Sequence, residues 1–395
     1  MAPPGLTQRA HRELHVALVF LILWQAAVLG GGSRSVAVVL GLLGFVFHVV
    51  FAKAYTLVPS YFARELAVPR APNVQLPLTA FGAAGLAGTA AGWLPAMVGA
   101  LAGLAWLAGV LVFMVALAWS LRGNLLGAET GTAEPNADRR RVDRFANAFV
   151  PVVGAYLVVG SYELAATWSG LPTLLDGYPP RAAHLLAAGT ATLLVFAVGF
   201  RLLPRFLVAR PPAVLVGIVL PAGAVGPMVI AATLPAGPFF VLGALLEATA
   251  VIGFAIAYGW LFLRSDRRRV GFYPVGLGML SGVAAVAIGL HMATVGFDVS
   301  LARAHARLNL LGFLALTIIG VTYQFYPPAV GEFRGASDRT ALAFAGLIAV
   351  GVAVEVVGLL GEAGWLVTIG RVGALLGALG YVRLLVGLLQ RLRDR

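Results

Sequence analysis

Six histidines and no cysteine bound the chemistry open to this chain. Without thiols there is no disulfide, no thiolate metal site, no iron–sulfur cluster and no haem tethered through a C-x-x-C-H motif. Imidazole remains, and neutral imidazole is a common ligand of haem iron and of copper. His48 lies midway along one apolar run, His184 opens another, His291 closes a third and His305 opens a fourth. His11 and His15 sit one helical turn apart in a basic N-terminal segment and read as residues of a headgroup boundary. Taken singly, each histidine reads as donating to a carbonyl on a neighbouring helix or facing interfacial water. Taken together, three histidines at one end of their helices and one in mid-helix make a cofactor constellation.

Other polar residues interrupt the apolar runs. Arg303 and Arg307 flank His305. Residues two apart on a helix point to nearly opposite faces, so the arginine pair and the histidine address different neighbours. The arginines suit the propionates of a haem, through charge-assisted hydrogen bonds, and suit headgroup anchoring equally. Glu247 and Glu355 are carboxylates within apolar segments. They could relay protons, pair with a cation or stay protonated in a polar contact. Lys53 and Arg201, near helix ends, read as snorkelling cations.

The elements that carry these residues follow from composition. Hydrophobic residues make up 60% of the 395 and charged residues 11%, and the mean hydropathy is +0.92. A soluble domain is near half apolar and a quarter charged, and could not bury this much apolar surface. Lipid is the solvent that fits, and helices satisfy their own backbone within it. Spans of about 20 residues fall at 14–32, 35–58, 74–93, 97–121, 146–168, 182–203, 212–233, 238–263, 272–294, 302–326, 340–360 and 364–388. The expected fold is an all-α polytopic membrane protein with twelve transmembrane helices in one domain over 1–395. Helices 1–4 cover 14–121, helices 5–8 cover 146–263 and helices 9–12 cover 272–388, with one sizeable polar loop at 122–145.

A net charge of +12 would suit nucleic acid, but its distribution argues for a bilayer instead. Arg139 to Arg141, Arg205, Arg210 and Arg267 to Arg269 all fall on the side of the N-terminus if every span is crossed once. This positive-inside bias puts both termini in the cytoplasm of a multi-pass plasma-membrane protein and leaves no role for nucleic acid. The first span, after Arg9 and Arg12, shows no small-residue cleavage site and reads as an uncleaved helix.

A weak internal repeat organises the spans. Tyr55 precedes Pro59, Phe200 precedes Pro204 and Tyr323 precedes Pro327, in each case an aromatic four residues before a proline near a helix end. The three sites lie in spans 2, 6 and 10, which suggests three four-helix units about a pseudo-threefold axis. The stretch from His305 to Pro327 resembles the tenth helix of the catalytic subunit of haem-copper oxidases and nitric oxide reductases, and the twelve-span architecture is similar to that family. The resemblance implies that His48 is a low-spin haem ligand, that His184 binds copper and that His305 binds an active-site haem. Arg307 stands where the family has a second helix-ten histidine, the seventh span has no histidine, and Ala188 occupies the place of the oxidase tyrosine. His291 could supply a missing metal ligand. The resemblance thus implies a degenerate redox or gas-related protein, an oxidoreductase if it is an enzyme, holding one haem or one copper. Electrons would come from a donor or accessory membrane subunit. A proton-coupled transporter or channel, and a cofactor-free structural subunit, are the competing readings.

Overall fold

The computed structural model describes residues 4–393, and among these the secondary structure is helical throughout. Twelve long helices follow one another: α1 Pro4–Leu29, α2 Arg34–Tyr61, α3 Ala71–Ala90, α4 Ala96–Ser120, α5 Val150–Ser169, α6 Pro179–Leu207, α7 Ala213–Thr233, α8 Pro238–Leu263, α9 Phe272–Val295, α10 Val299–Phe325, α11 Asp338–Leu360 and α12 Gly364–Arg393. Eleven segments among the described residues are long and apolar enough to cross a membrane, so the chain is a multi-pass membrane protein. The exception is α3, whose hydropathy is lowered by Asn73, Gln75 and Thr79. Two of these polar residues are buried, Gln75 and Thr79.

The helices pack as hairpins, α3 on α4, α7 on α8 and α11 on α12, with α12 returning to α1. Short connections leave successive helices antiparallel, and small residues let them approach. A Cβ on Gly82 would meet the backbone of Trp106 at 2.9 Å, and one on Gly370 would meet Glu355 N at 2.4 Å. Such contacts are the usual means of helix association in lipid.

Helices α2, α6 and α10 share a feature that hydropathy does not reveal. Each widens into a π-helical stretch of 8 residues near its N-terminal end: Val39–Val46, Leu185–Thr192 and Leu308–Ala315. Such i→i+5 turns are rare and concentrate at functional sites. Each stretch carries a glycine on which the preceding helix rests a side chain. Trp24 lies on Gly41, Tyr156 on Gly189 and Ser281 on Gly312. The three widened stretches pack against one another, so α2, α6 and α10 form the centre of the bundle.

The segment expected as a plain loop at 122–145 is partly helical, with a 3₁₀ turn over Glu134–Arg139 and a short helix Arg140–Asn147. Charge decides this. Asp143 on the short helix is buried, and its Oδ2 accepts from Arg205 Nη2 at 2.5 Å. Arg201 donates to Thr130 O at 2.8 Å and Tyr61 O at 2.9 Å, donates to Asn147 Oδ1, and stacks on Tyr61 at 4.1 Å. Arg201 therefore clamps the loop to α6 and does not snorkel.

Candidate functional site

The axis shared by α2, α6 and α10 holds an apolar cavity of about 140 Å³, lined by those three helices alone. Val50, Val195 and Val321 give its wall, and Lys53 and Phe325 close the end away from the π-helical stretches. Lys53 Nζ donates to the Tyr326 hydroxyl at 2.9 Å and sits over the rings of Phe325 at 4.7 Å and Tyr326 at 4.3 Å. The amine thus lies against two aromatic rings at the C-terminal end of α10.

At the opposite end, where α6 and α10 begin, His184 and His305 come together. Their ring centroids are 6.4 Å apart, with an interplanar angle of 26°. His184 Nδ1 faces Pro180 O at 2.7 Å and His305 Nδ1 faces Ala285 O at 2.9 Å. A carbonyl only accepts, so each Nδ1 carries the proton and each Nε2 keeps its lone pair. Asn309 Nδ2 donates to His305 Nε2 at 3.2 Å. Arg34, at the start of α2, is a charged neighbour of both rings. A carbonyl-anchored Nδ1 is the arrangement usual for metal-ligating imidazole, and Asn309 must release His305 Nε2 before that nitrogen can bind a metal.

The other expected ligands do not join this pair. His291 is exposed on α9, and among the described residues no group of three or more histidine, aspartate or glutamate side chains is placed to hold a metal. His48 is fully buried between α1, α2 and α3. Its Nδ1 donates to Leu43 O at 3.0 Å, within the π-helical stretch, and its Nε2 pairs with the Thr79 hydroxyl at 3.2 Å. Phe20, Phe51 and Trp106 surround the ring at 5.4, 6.1 and 6.4 Å. An axial haem ligand needs a free nitrogen and a flat slot beside it. His48 Nε2 is engaged by Thr79 and three aromatic rings crowd the imidazole, so His48 as placed does not fit an axial haem ligand.

Arg303 and Arg307 part company. Arg303 is exposed, whereas Arg307 is buried. Arg307 Nε pairs with Glu355 Oε2 at 2.7 Å, and Arg371 Nε takes the other oxygen at 2.9 Å. Arg307 Nη2 donates to Gln25 Oε1 at 3.1 Å. It thus pairs with a carboxylate of the protein, as buried charges require. Of the three roles open to Glu355, this assigns cation pairing. Glu247 is buried against α7 near Gly226, with Oε2 unpartnered, and does not line the cavity.

Three buried carboxylates escaped the reading of the sequence. Glu13 has both oxygens unpartnered, Asp143 holds the loop, and Glu163 accepts from Leu174 N at 2.5 Å and Leu175 N at 3.1 Å. Glu163 was visible as a lone acid in an apolar span. Glu13 and Asp143 stand among arginines, where an acid looks like ordinary surface. No protein-family model matches the chain, and no curated protein matches it.

Proposed function

We propose that the α2–α6–α10 axis binds a small, neutral, lipid-soluble molecule no larger than benzene. The frame is read as similar to the haem-copper oxidase catalytic subunit, with the haem positions closed by protein side chains. The observation that carries this reading is the apolar cavity of about 140 Å³. Apolar cavities near 150 Å³ stay dry and take up guests such as benzene or xenon. Pockets for larger ligands are about 300–1,000 Å³, which argues against a macrocycle here. Transport of protons or ions is less well supported, because Glu247 and Glu355 lie off the cavity and its wall is apolar.

The same reading makes the frame three four-helix units about a pseudo-threefold axis. It is supported by the π-helical stretches recurring in α2, α6 and α10. The arginine-rich connections lie at the end where both termini emerge, which supports cytoplasmic termini in a plasma membrane.

Xenon tests the cavity. In the purified protein, ¹²⁹Xe exchange should report one saturable site that Val321→Phe abolishes. An unchanged signal in that variant would sink the proposal.

His184 and His305 favour a second reading of the same three helices, one bound copper ion held by the two Nε2 atoms where α6 and α10 begin, beyond the residues that line the cavity. Imidazole suits copper, and a redox role would then need an electron-donor subunit. Copper retained in stoichiometric amount and lost in His305→Ala supports this. No retained copper removes it and leaves the xenon experiment to decide the cavity.

A further inference from the structure

A second polar centre lies away from the cavity, where α1, α10, α11 and α12 meet. It contains two guanidiniums, Arg307 and Arg371, and one carboxylate, Glu355. Both carboxylate oxygens are engaged, one by each arginine, and Gln25 Oε1 is engaged by Arg307. The atoms left without partners are Trp24 Nε1, Gln25 Nε2 and Arg307 Nη1. Trp24, Gln25 and Arg307 are 0%, 1% and 6% exposed. Trp24 and Gln25 are neighbours on α1, and the guanidinium carbon of Arg307 lies 5.6 Å from the Trp24 ring. Arg307 thus touches both residues, through its bond to Gln25 and its position over the Trp24 ring.

All three are N–H groups, and none can accept a hydrogen bond in these states. The centre thus has a surplus of donors and one unbalanced positive charge. An anion seated among them would accept from these donors and offset the excess charge. Unpaired buried donors are costly, and two guanidiniums, Arg371 partly exposed, face one carboxylate, so an anion answers the first demand and offsets the excess charge.

We propose that Trp24 Nε1, Gln25 Nε2 and Arg307 Nη1 form a binding site for a small monovalent anion of halide size, independent of the axial cavity. Chloride is the halide at hand in any biological medium. The anion completes the junction that joins the first helix to the last three.

The full-length protein, purified from lysis onward in gluconate, is titrated with bromide at constant ionic strength while its thermal midpoint is followed. The expected result is a saturable rise in the midpoint and, in crystals grown with bromide, anomalous density beside Trp24, Gln25 and Arg307. Gln25→Glu supplies a carboxylate from the chain itself and should abolish the bromide dependence. Trp24→Phe removes one donor and should weaken the apparent affinity several-fold, which keeps the test open if Gln25→Glu does not fold. A midpoint equal in gluconate and bromide, or bromide density absent from this junction, overturns the proposal.

Discussion

Arg307 and Glu355, 48 residues apart in the chain, meet at 2.7 Å in a part of the protein where neither is exposed to solvent. Such a pair is weak evidence of net stabilisation, but removing one partner strands the other. Glu355→Ala leaves both Arg307 and Arg371 without their carboxylate and should cost about 3–5 kcal/mol. Glu134→Ala breaks the exposed contact with Arg140 and should cost about 0–1 kcal/mol. Denaturant unfolding of the two variants side by side checks this. Equal losses would mean that the buried centre is not the anchor described.

His48 depends on a single hydroxyl. Thr79→Val removes the partner of Nε2 while nearly keeping the volume, and should cost about 1–3 kcal/mol. Adding His48→Leu should recover part of that loss, because the imidazole nitrogen left bare is then removed, while Gln75 Nε2 still lacks the hydroxyl it donates to. A double-mutant cycle measures the coupling, and simple additivity would contradict the hydrogen bond. The same cycle bears on the haem question, since a haem ligand would lose its visible spectrum along with its stability.

Close approach of α9 and α10 rests on Gly320. An added Cβ there would lie 2.4 Å from Gly271 O and 2.9 Å from Val275 N, both backbone atoms. Gly320→Ala must push the helices apart and should cost about 1–3 kcal/mol or more. Gly346, by contrast, has nothing within 4 Å of its Cβ position, so Gly346→Ala should be neutral or stabilise by about 0.5–1 kcal/mol. Thermal midpoints of the two variants distinguish a packing glycine from an incidental one.

The connection between α5 and α6 should respond to acid. Arg181 Nε hydrogen-bonds Asp176 Oδ1 at 2.7 Å, and the same arginine donates to Ala231 O at 2.5 Å and Leu234 O at 2.7 Å. The side-chain bond to Arg181, with help from Tyr178 N–H, holds the Asp176 carboxyl below its ordinary value of 3.8. A depressed carboxylate stabilises the folded loop above the unfolded value and loses that contribution as pH falls through the folded one. Protease sensitivity of residues 170–178 should therefore be flat above pH 3.8 and rise below it. Asp176→Asn should remove that acid step. A step that persists in the variant would assign it to another group.

The spans were legible because lipid imposes one rule on every crossing segment. The run read at 238–263 is the helix Pro238–Leu263, and that read at 35–58 is the core of Arg34–Tyr61. Where polarity and helicity part company, the reading failed. Helix α1 begins at Pro4 rather than at 14, because residues before Leu14 are helical but charged. The short helix Arg140–Asn147 was hidden for the same reason. The π-helical stretches leave no trace in hydropathy, since a widened turn changes hydrogen bonding and not composition.

The site was legible in its residues and not in its pairings. His184 and His305 drew notice as imidazoles at helix starts, and they do approach one another. Nothing local in the sequence ties His48 to Thr79, 31 residues on, or Lys53 to Tyr326, 273 residues on. These partners are chosen by the packing of distant helices. His291 and Arg303 are of types suited to a site, yet both are exposed, and only the packing of their helices decides that.

The junction of α1 with α10 sets an order on biogenesis. Gln25 enters the bilayer early, yet Arg307, its hydrogen-bond partner, lies 282 residues downstream. At ~5–20 residues per second, the ribosome takes roughly 14–56 s to make that intervening stretch. During this interval a polar side chain on the first helix has no mate, and the helix has no neighbour at its open seam. The bundle can be sealed only when its last quarter has inserted. Chains halted before Arg307 should therefore expose α1 to membrane quality control, and a pulse-chase of truncated chains should find them short-lived.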